Sequence, residues 1–270
     1  MFSGTNHQLD GPEWLTTPIL LRSIPGITDN IVEQALQKLA HSFILIPRLA
    51  RLLRRLRNSS GDRGVEEEAI DLAQHLFTMS MDDEFFSQAK TTGQLRLEIT
   101  VLGEIVEAVS MSYFFGSLRL SVFLESYWTC RLLICGLVEA LLAAVPVASL
   151  IFDANALHDE DRRMAIDALM AVQHTLKESV VDRSQFRGNE MRLLMLMHGA
   201  YGSWGRLEKR LKASMEMSEN EELSLAIRMK RLCLDLVNRL QLTPQGNVVS
   251  EHVLEAVTKL YAGGPLFRNP

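Results

Sequence analysis

Twenty-one residues from Leu132 to Phe152 carry a single charged side chain, Glu139, and this run limits the fold more than any other part of the chain. The surrounding stretch, CRLLICGLVEALLAAVPVASLIF, admits three readings: a membrane span, a cysteine-based metal or cofactor site, or the buried helix of a helical domain. About 20 apolar residues suffice to cross a bilayer. Against a span stand Glu139, Pro146, Ser149 and the weakly hydrophobic Ala-Ala pair. An acidic residue at membrane depth costs about 2.5–3.5 kcal/mol on insertion scales, and such residues need a functional reason. A helix apolar on all faces is what the centre of a large helical domain requires. The expectation is therefore a buried helix that stops or bends at Pro146, because proline pushes its predecessor out of the α region.

Cys130 and Cys135 sit five apart, so on a helix they point roughly 140° away from each other and cannot share a metal. With Cys233 they form neither an even framework nor a close ligand pair, and they read as small buried hydrophobes with reduced thiols. His7, His41, His75, His158, His174, His198 and His252 are scattered without metal-ligand spacing. No cofactor or metal is expected.

The rest of the chain also reads as helix. Leu, Ala, Glu and Arg are abundant and aromatics are only 7%, which favours residues that lose little rotamer freedom in a helix. Residues 1–13 read as a flexible tail with no secretory signal. Helical spacing runs from about Asp29 to Arg57, where Pro47 is expected to kink or split the helix. NSSGDRG at 58–64 is a loop, and EEEAIDLAQHLFTMSM opens a second helix with acids at its N-terminus. LRLEITV alternates with period two, so strand competes with helix, and the continuation LGEIVEAV tips the reading to helix.

Asp159 is expected to cap a helix reaching about Val181, and the next helix is expected to be loosened by Gly199, Gly202 and Gly205. Ser218 and Glu221 form a capping box before LSLAIRMKRLCLDLVNRLQL. Ser250 starts a last helix with Val253, Val257 and Leu260 on one face, closed by Gly263, Gly264 and Pro265. The fold class is all-α: one helical domain over 14–270, of about seven to eight helices around the central apolar one. Glu139 is expected to be enclosed and paired, with Arg131 a partner only if the helix bends.

Two charged stretches remain. In SMDDEFF, Asp82, Asp83 and Glu84 suggest a magnesium and diphosphate site, but Phe86 stands where a further acid is needed and no second ligand helix exists. A magnesium-dependent enzyme acting on an apolar or isoprenoid diphosphate is thus the alternative reading. In RLARLLRRLR, Arg48, Arg51 and Arg55 fall together on a helix while Leu49, Leu52, Leu53 and Leu56 fall on the facing side. That basic face reads first as a solvated surface, then as a contact for an acidic partner or for acids of this chain. The formal charge of −5 opposes coating of nucleic acid by bulk electrostatics.

FFGSLRLSVFLESYWTCRLLICGLVEAL, with Phe115, Ser117, Leu118, Tyr127, Trp128 and Arg131, resembles the C-terminal regulatory domain of fungal zinc binuclear cluster transcription factors. GPEWLTTP, LMLMHGAYGSWGRLEKR, CLDLVNRL and LYAGGPL continue the likeness in order from about residue 12 to 267, with AGGPL its best local mark. The resemblance implies an all-helical, nuclear, non-enzymatic regulator of transcription, often of a secondary-metabolite gene cluster. Its expected partners are proteins of the transcription machinery or a full-length family member, with a small-molecule effector as the other way of acting, and no membrane. The family's DNA-binding module needs six closely spaced cysteines to bridge two zinc ions. This chain has three, all in helical patterns, so no direct DNA binding is expected of it. A truncated member, a missing first exon or a separate co-regulator would each explain the difference.

Overall fold

The computed structural model describes residues 29–58, 61–81, 86, 91–93, 97–101, 104–109, 111–116, 118–181, 186–214, 221–240 and 248–264. The N-terminal tail with GPEWLTTP, the acids Asp82, Asp83 and Glu84, the capping Ser218, and Pro265 with Leu266 lie outside them. Among the described residues the fold is all-α: helix α1 Asp29–Asn58, α2 Arg63–Thr78, α3 Leu118–Ala144, α4 Ala154–Val181, α5 Phe186–Ser214, α6 Glu221–Leu240 and α7 Glu251–Tyr261. A 3-10 turn, Pro146–Leu150, follows α3.

Helix α3 is the axle of the structure. It packs against α1, α2, α4, α5 and α7, so side chains are buried on all sides of it, and its few polar ones, among them Glu125 and Arg131, are buried too. Leu124, Trp128, Ile134, Leu137, Val138 and Leu141 are fully buried along it. Arg119–Ala144 is long and apolar enough to cross a membrane, yet 72% of its most apolar window is covered by protein. Its end follows from the sequence as expected: Val145 is extended (φ −131°, ψ 93°) and Pro146 opens the 3-10 turn.

Several local expectations are corrected. Helix α1 is not split at Pro47, which is buried within it. Losing a hydrogen bond to proline costs about 3 kcal/mol, and Leu45, Ile46, Leu49, Leu52 and Leu53, all buried on both sides of it, outweigh that loss. The segment read as helix near residue 100 is strand: β2 Leu97–Val101 pairs antiparallel with β3 Glu104–Val109. Ile99, Thr100, Val101, Ile105 and Val106 are β-branched, a residue type that favours strand over helix. The flanking β1 Thr91–Gly93 pairs with β4 Ser112–Phe114.

Helix α4 starts earlier than Asp159 would place it, because the Asp153 carboxylate accepts from the Asn155 amide at 2.9 Å. Helix α5 is continuous through its three glycines. Two of them permit close approach: a Cβ at Gly199 would stand 3.2 Å from Leu132, and one at Gly202 only 2.7 Å from Thr258 Cγ2. Ser250 caps α7 by accepting from the Val253 amide, as expected, but the buried residue of that helix is Leu254, while Val253 is largely exposed.

Candidate functional site

Polar chemistry concentrates where α3, α4 and α5 meet. Arg131, on α3 and 1% exposed, donates through Nε to Glu160 at 2.6 Å, and through its two Nη groups to the Leu76 and Phe77 carbonyls at 3.0 Å each. The last carbonyls of α2 have no intrahelical donor, so this guanidinium closes the end of one helix while pairing with another. Phe77 lies under the same guanidinium, 5.3 Å away. Asp161, the neighbour of Glu160 on α4, is gripped by Arg206 of α5 through two bonds, Nε to Oδ2 at 3.0 Å and Nη2 to Oδ1 at 2.5 Å.

Glu139 finds its partners here. Arg206 Nε lies 3.2 Å away and Arg210 Nη1 3.3 Å away, both on α5, so the pairing is with neither Arg131 nor any residue of its own helix. A straight α3 holds Arg131 and Glu139 two turns apart, and the tertiary fold supplies the cations instead. The result is a node of three arginines and three carboxylates in charge balance. Gly136 makes room for it: a Cβ there would stand 2.8 Å from Arg206 Nη1.

Burial and charge set the titration of the node. Burial acts to lower the Arg131 and Arg206 pKa values, but Glu160 and Asp161 respectively overcome it, so both arginines are held charged. Cys135, enclosed beside the same carboxylates, is pushed well up by burial and then by Asp161 and Glu160. Burial likewise raises the Cys130 and Cys233 thiols. All three are free cysteines held as neutral thiols, the form that is poor both as nucleophile and as metal ligand. Among the described residues no group of three or more His, Cys, Asp or Glu is placed to hold a metal.

A second polar pair ties the hairpin region to the core. Tyr113 donates to Asp167 at 2.5 Å and stacks on Trp128 with ring centroids 5.8 Å apart. Burial and then the Asp167 carboxylate push its phenol upward. Phe115 completes that aromatic cluster, 6.3 Å from Trp128. Tyr127, next along α3, accepts from the Met81 amide at 3.3 Å.

The basic face singled out in the sequence is divided between neighbours. Arg48 bonds Glu68 of α2 at 2.6 Å, and Arg55 lies 3.9 Å from Asp62 with both side chains mostly exposed. Arg51 is half-buried between them on α1. Arg54 and Arg57, on the other edge of the leucine stripe, were not singled out, and they do the more specific work. Arg54 Nε donates to the Gly264 carbonyl at 3.0 Å, and Arg57 to the Gly263 and Ala262 carbonyls at 2.8 and 3.3 Å. Gly263 has φ +70°, and a Cβ there would stand 2.9 Å from Leu53 Cβ and 3.1 Å from the Ala50 carbonyl. The two glycines thus let the end of α7 lie against α1, where the arginines cap its free carbonyls. The pairing of an Arg-rich helix with a C-terminal Gly-Gly was the signal that could have found this contact.

No family model, curated protein or solved structure matches this chain.

Proposed function

We propose that the chain is a helical regulatory domain of the kind found in fungal zinc binuclear cluster transcription factors, acting in the nucleus through protein contacts or by sensing a small molecule. One observation supports the reading: the described residues behind the resemblance hold the helices of this fold together. Phe115 and Trp128 pack together, Tyr127 holds the chain after α2, and Arg131 ties α2, α3 and α4. At the far end of the sequence Gly263 and Gly264 close α7 onto α1. Residues needed together for one fold are what a family pattern records, and surface residues would not behave so.

On this reading the chain reads no DNA by itself. Base readout needs an element docked in a groove and held by several phosphate contacts. The dense arginines of α1 are already engaged by Glu68 and by the end of α7, and the chain is net acidic. A mobility-shift assay of the purified chain against pooled random duplexes, with metal analysis of the same sample, tests this. The expected result is weak binding that vanishes as salt rises to physiological levels, and no stoichiometric zinc. Enrichment of one sequence at physiological salt, or about two zinc ions per chain as a binuclear cluster requires, would overturn the reading.

A further inference from the structure

Between α5, α6 and α7 lies a half-enclosed cleft of about 250 Å³, just below the roughly 300–1,000 Å³ of pockets that hold drug-sized ligands and so suited to a smaller one. Its walls carry five cations, Arg206, Lys209, Lys212, Lys230 and Lys259, against two carboxylates, Glu208 and Glu255. The excess is notable in a chain of net charge −5. Arg206 is committed to Asp161 and Glu139, and Lys230 to Glu208 and Glu251. Glu208 is shared, since Lys212 also bonds it at 2.6 Å. Lys209 and Lys259, both exposed, form no ion pair among the described residues.

The floor of the cleft contains Gly205, in the interior of α5. Glycine there is less favourable than alanine, because it loses more backbone freedom on folding. At Gly202, one turn earlier, close packing against Thr258 explains the residue. At Gly205 packing does not, because a Cβ would meet only Lys230 Cδ at 4.0 Å. The missing side chain leaves open volume, and that volume lies among lysines. Lysine near a helix C-terminus also complements the helix dipole, but a dipole does not call for an unfilled glycine beneath it.

We propose that this cleft binds a small polyanion, a molecule carrying two or more phosphate or carboxylate groups, with Lys209 and Lys259 as its principal counter-charges and Gly205 as the space it occupies. Hydrogen bonds from charged donors to such oxygens are about twice as strong as neutral ones, and a recess between low-dielectric walls focuses the field of its cations. Glu255, one turn before Lys259 on α7, is the cleft carboxylate with no cation against it among the described residues, and it opposes the ligand. The inference names a ligand class for the sensing mode of the proposed regulator and depends on that reading only for its biological use. Because binding is measured on the purified chain, its failure leaves the transcription and DNA tests untouched.

Calorimetric titration of the purified full chain with inorganic pyrophosphate, and separately with citrate, at constant ionic strength tests it. One of the two should bind saturably with a single site, and which one does separates a phosphate from a carboxylate source. Lys209→Ala with Lys259→Ala should weaken that binding at least tenfold, and Glu255→Gln should tighten it severalfold. Gly205→Leu should abolish it while the far-UV circular dichroism and melting temperature are kept or improved, since leucine is the better helix former. Saturable binding of neither probe, or binding by the lysine double variant and by Gly205→Leu equal to that of the unaltered chain, would overturn the proposal.

Discussion

Arg206 and Asp161 join α5 to α4 through two parallel bonds beside the central helix, with the carboxylate 2% and the guanidinium 14% exposed. Buried pairs of this kind are costly to break and need not be costly to replace, because breaking one strands a charge in a poorly solvated place. Asp161→Leu alone should destabilise the protein in urea unfolding, by less than the about 3–5 kcal/mol of a wholly stranded charge because Glu139 stays beside Arg206. Asp161→Leu combined with Arg206→Met should recover more than half of that loss, since Glu139 keeps Arg210 as its cation. Equal losses for the single and double variants would mean that the pair contributes by packing rather than by charge.

The clasp between α1 and α7 predicts a different pattern. Gly263→Ala places a Cβ at φ +70° and against Leu53, so it should cost about 1–3 kcal/mol, the range for side chains forced into sparsely populated backbone conformations. Removing both Arg54 and Arg57 to alanine should expose the amides of α7 to hydrogen exchange while leaving those of α3 protected. Hydrogen exchange read by mass spectrometry distinguishes this local opening from global unfolding. Uniform loss of protection in both helices would contradict it.

His198 supplies a pH test. It is 8% exposed, its Nδ1 has no hydrogen-bond partner, and burial lowers its pKa to about 4. The unfolded chain takes up this proton near pH 6.5, whereas the folded chain resists it until about pH 4. The unfolded state therefore binds more protons in that window, and the stability due to neutral His198 is complete above about pH 6.5 and lost as pH falls toward 4. His198→Phe should flatten the slope of unfolding free energy between those values, by on the order of 2–3 kcal/mol across it. An unchanged slope would place the histidine in solvent.

What the sequence alone could supply depended on whether the deciding forces were local. The burial of α3 was readable because 21 residues with one charge leave few alternatives, and its end at Pro146 because proline acts on its immediate neighbour. The 97–109 hairpin was misread where two local signals conflicted, and the β-branched residues outweighed the helical spacing after Gly103. Pro47 went the other way: a local breaker was overruled by leucines packing on partners far away in the chain. That Glu139 would be paired was legible in its place within an apolar run, although its side chain stays 30% exposed rather than enclosed. That α5 would supply the cations was not, because nothing in the sequence relates residue 139 to residues 206 and 210. Within the basic helix the same limit held. The spacing grouped Arg48, Arg51 and Arg55, but the carbonyls that engage Arg54 and Arg57 come from more than 200 positions away.

The most direct measurement tethers the whole chain to an unrelated DNA-binding module at a reporter promoter in a filamentous fungus. On the proposed function the tethered chain changes reporter output severalfold in either direction. Arg131→Leu, which strands Glu160 and frees the carbonyls of α2, should remove the effect along with the fold, whereas Arg48→Ala on the exposed side of α1 should leave the fold intact. Reporter output indistinguishable from that of the DNA-binding module alone, with the chain folded and present in the nucleus, would contradict a role in transcription.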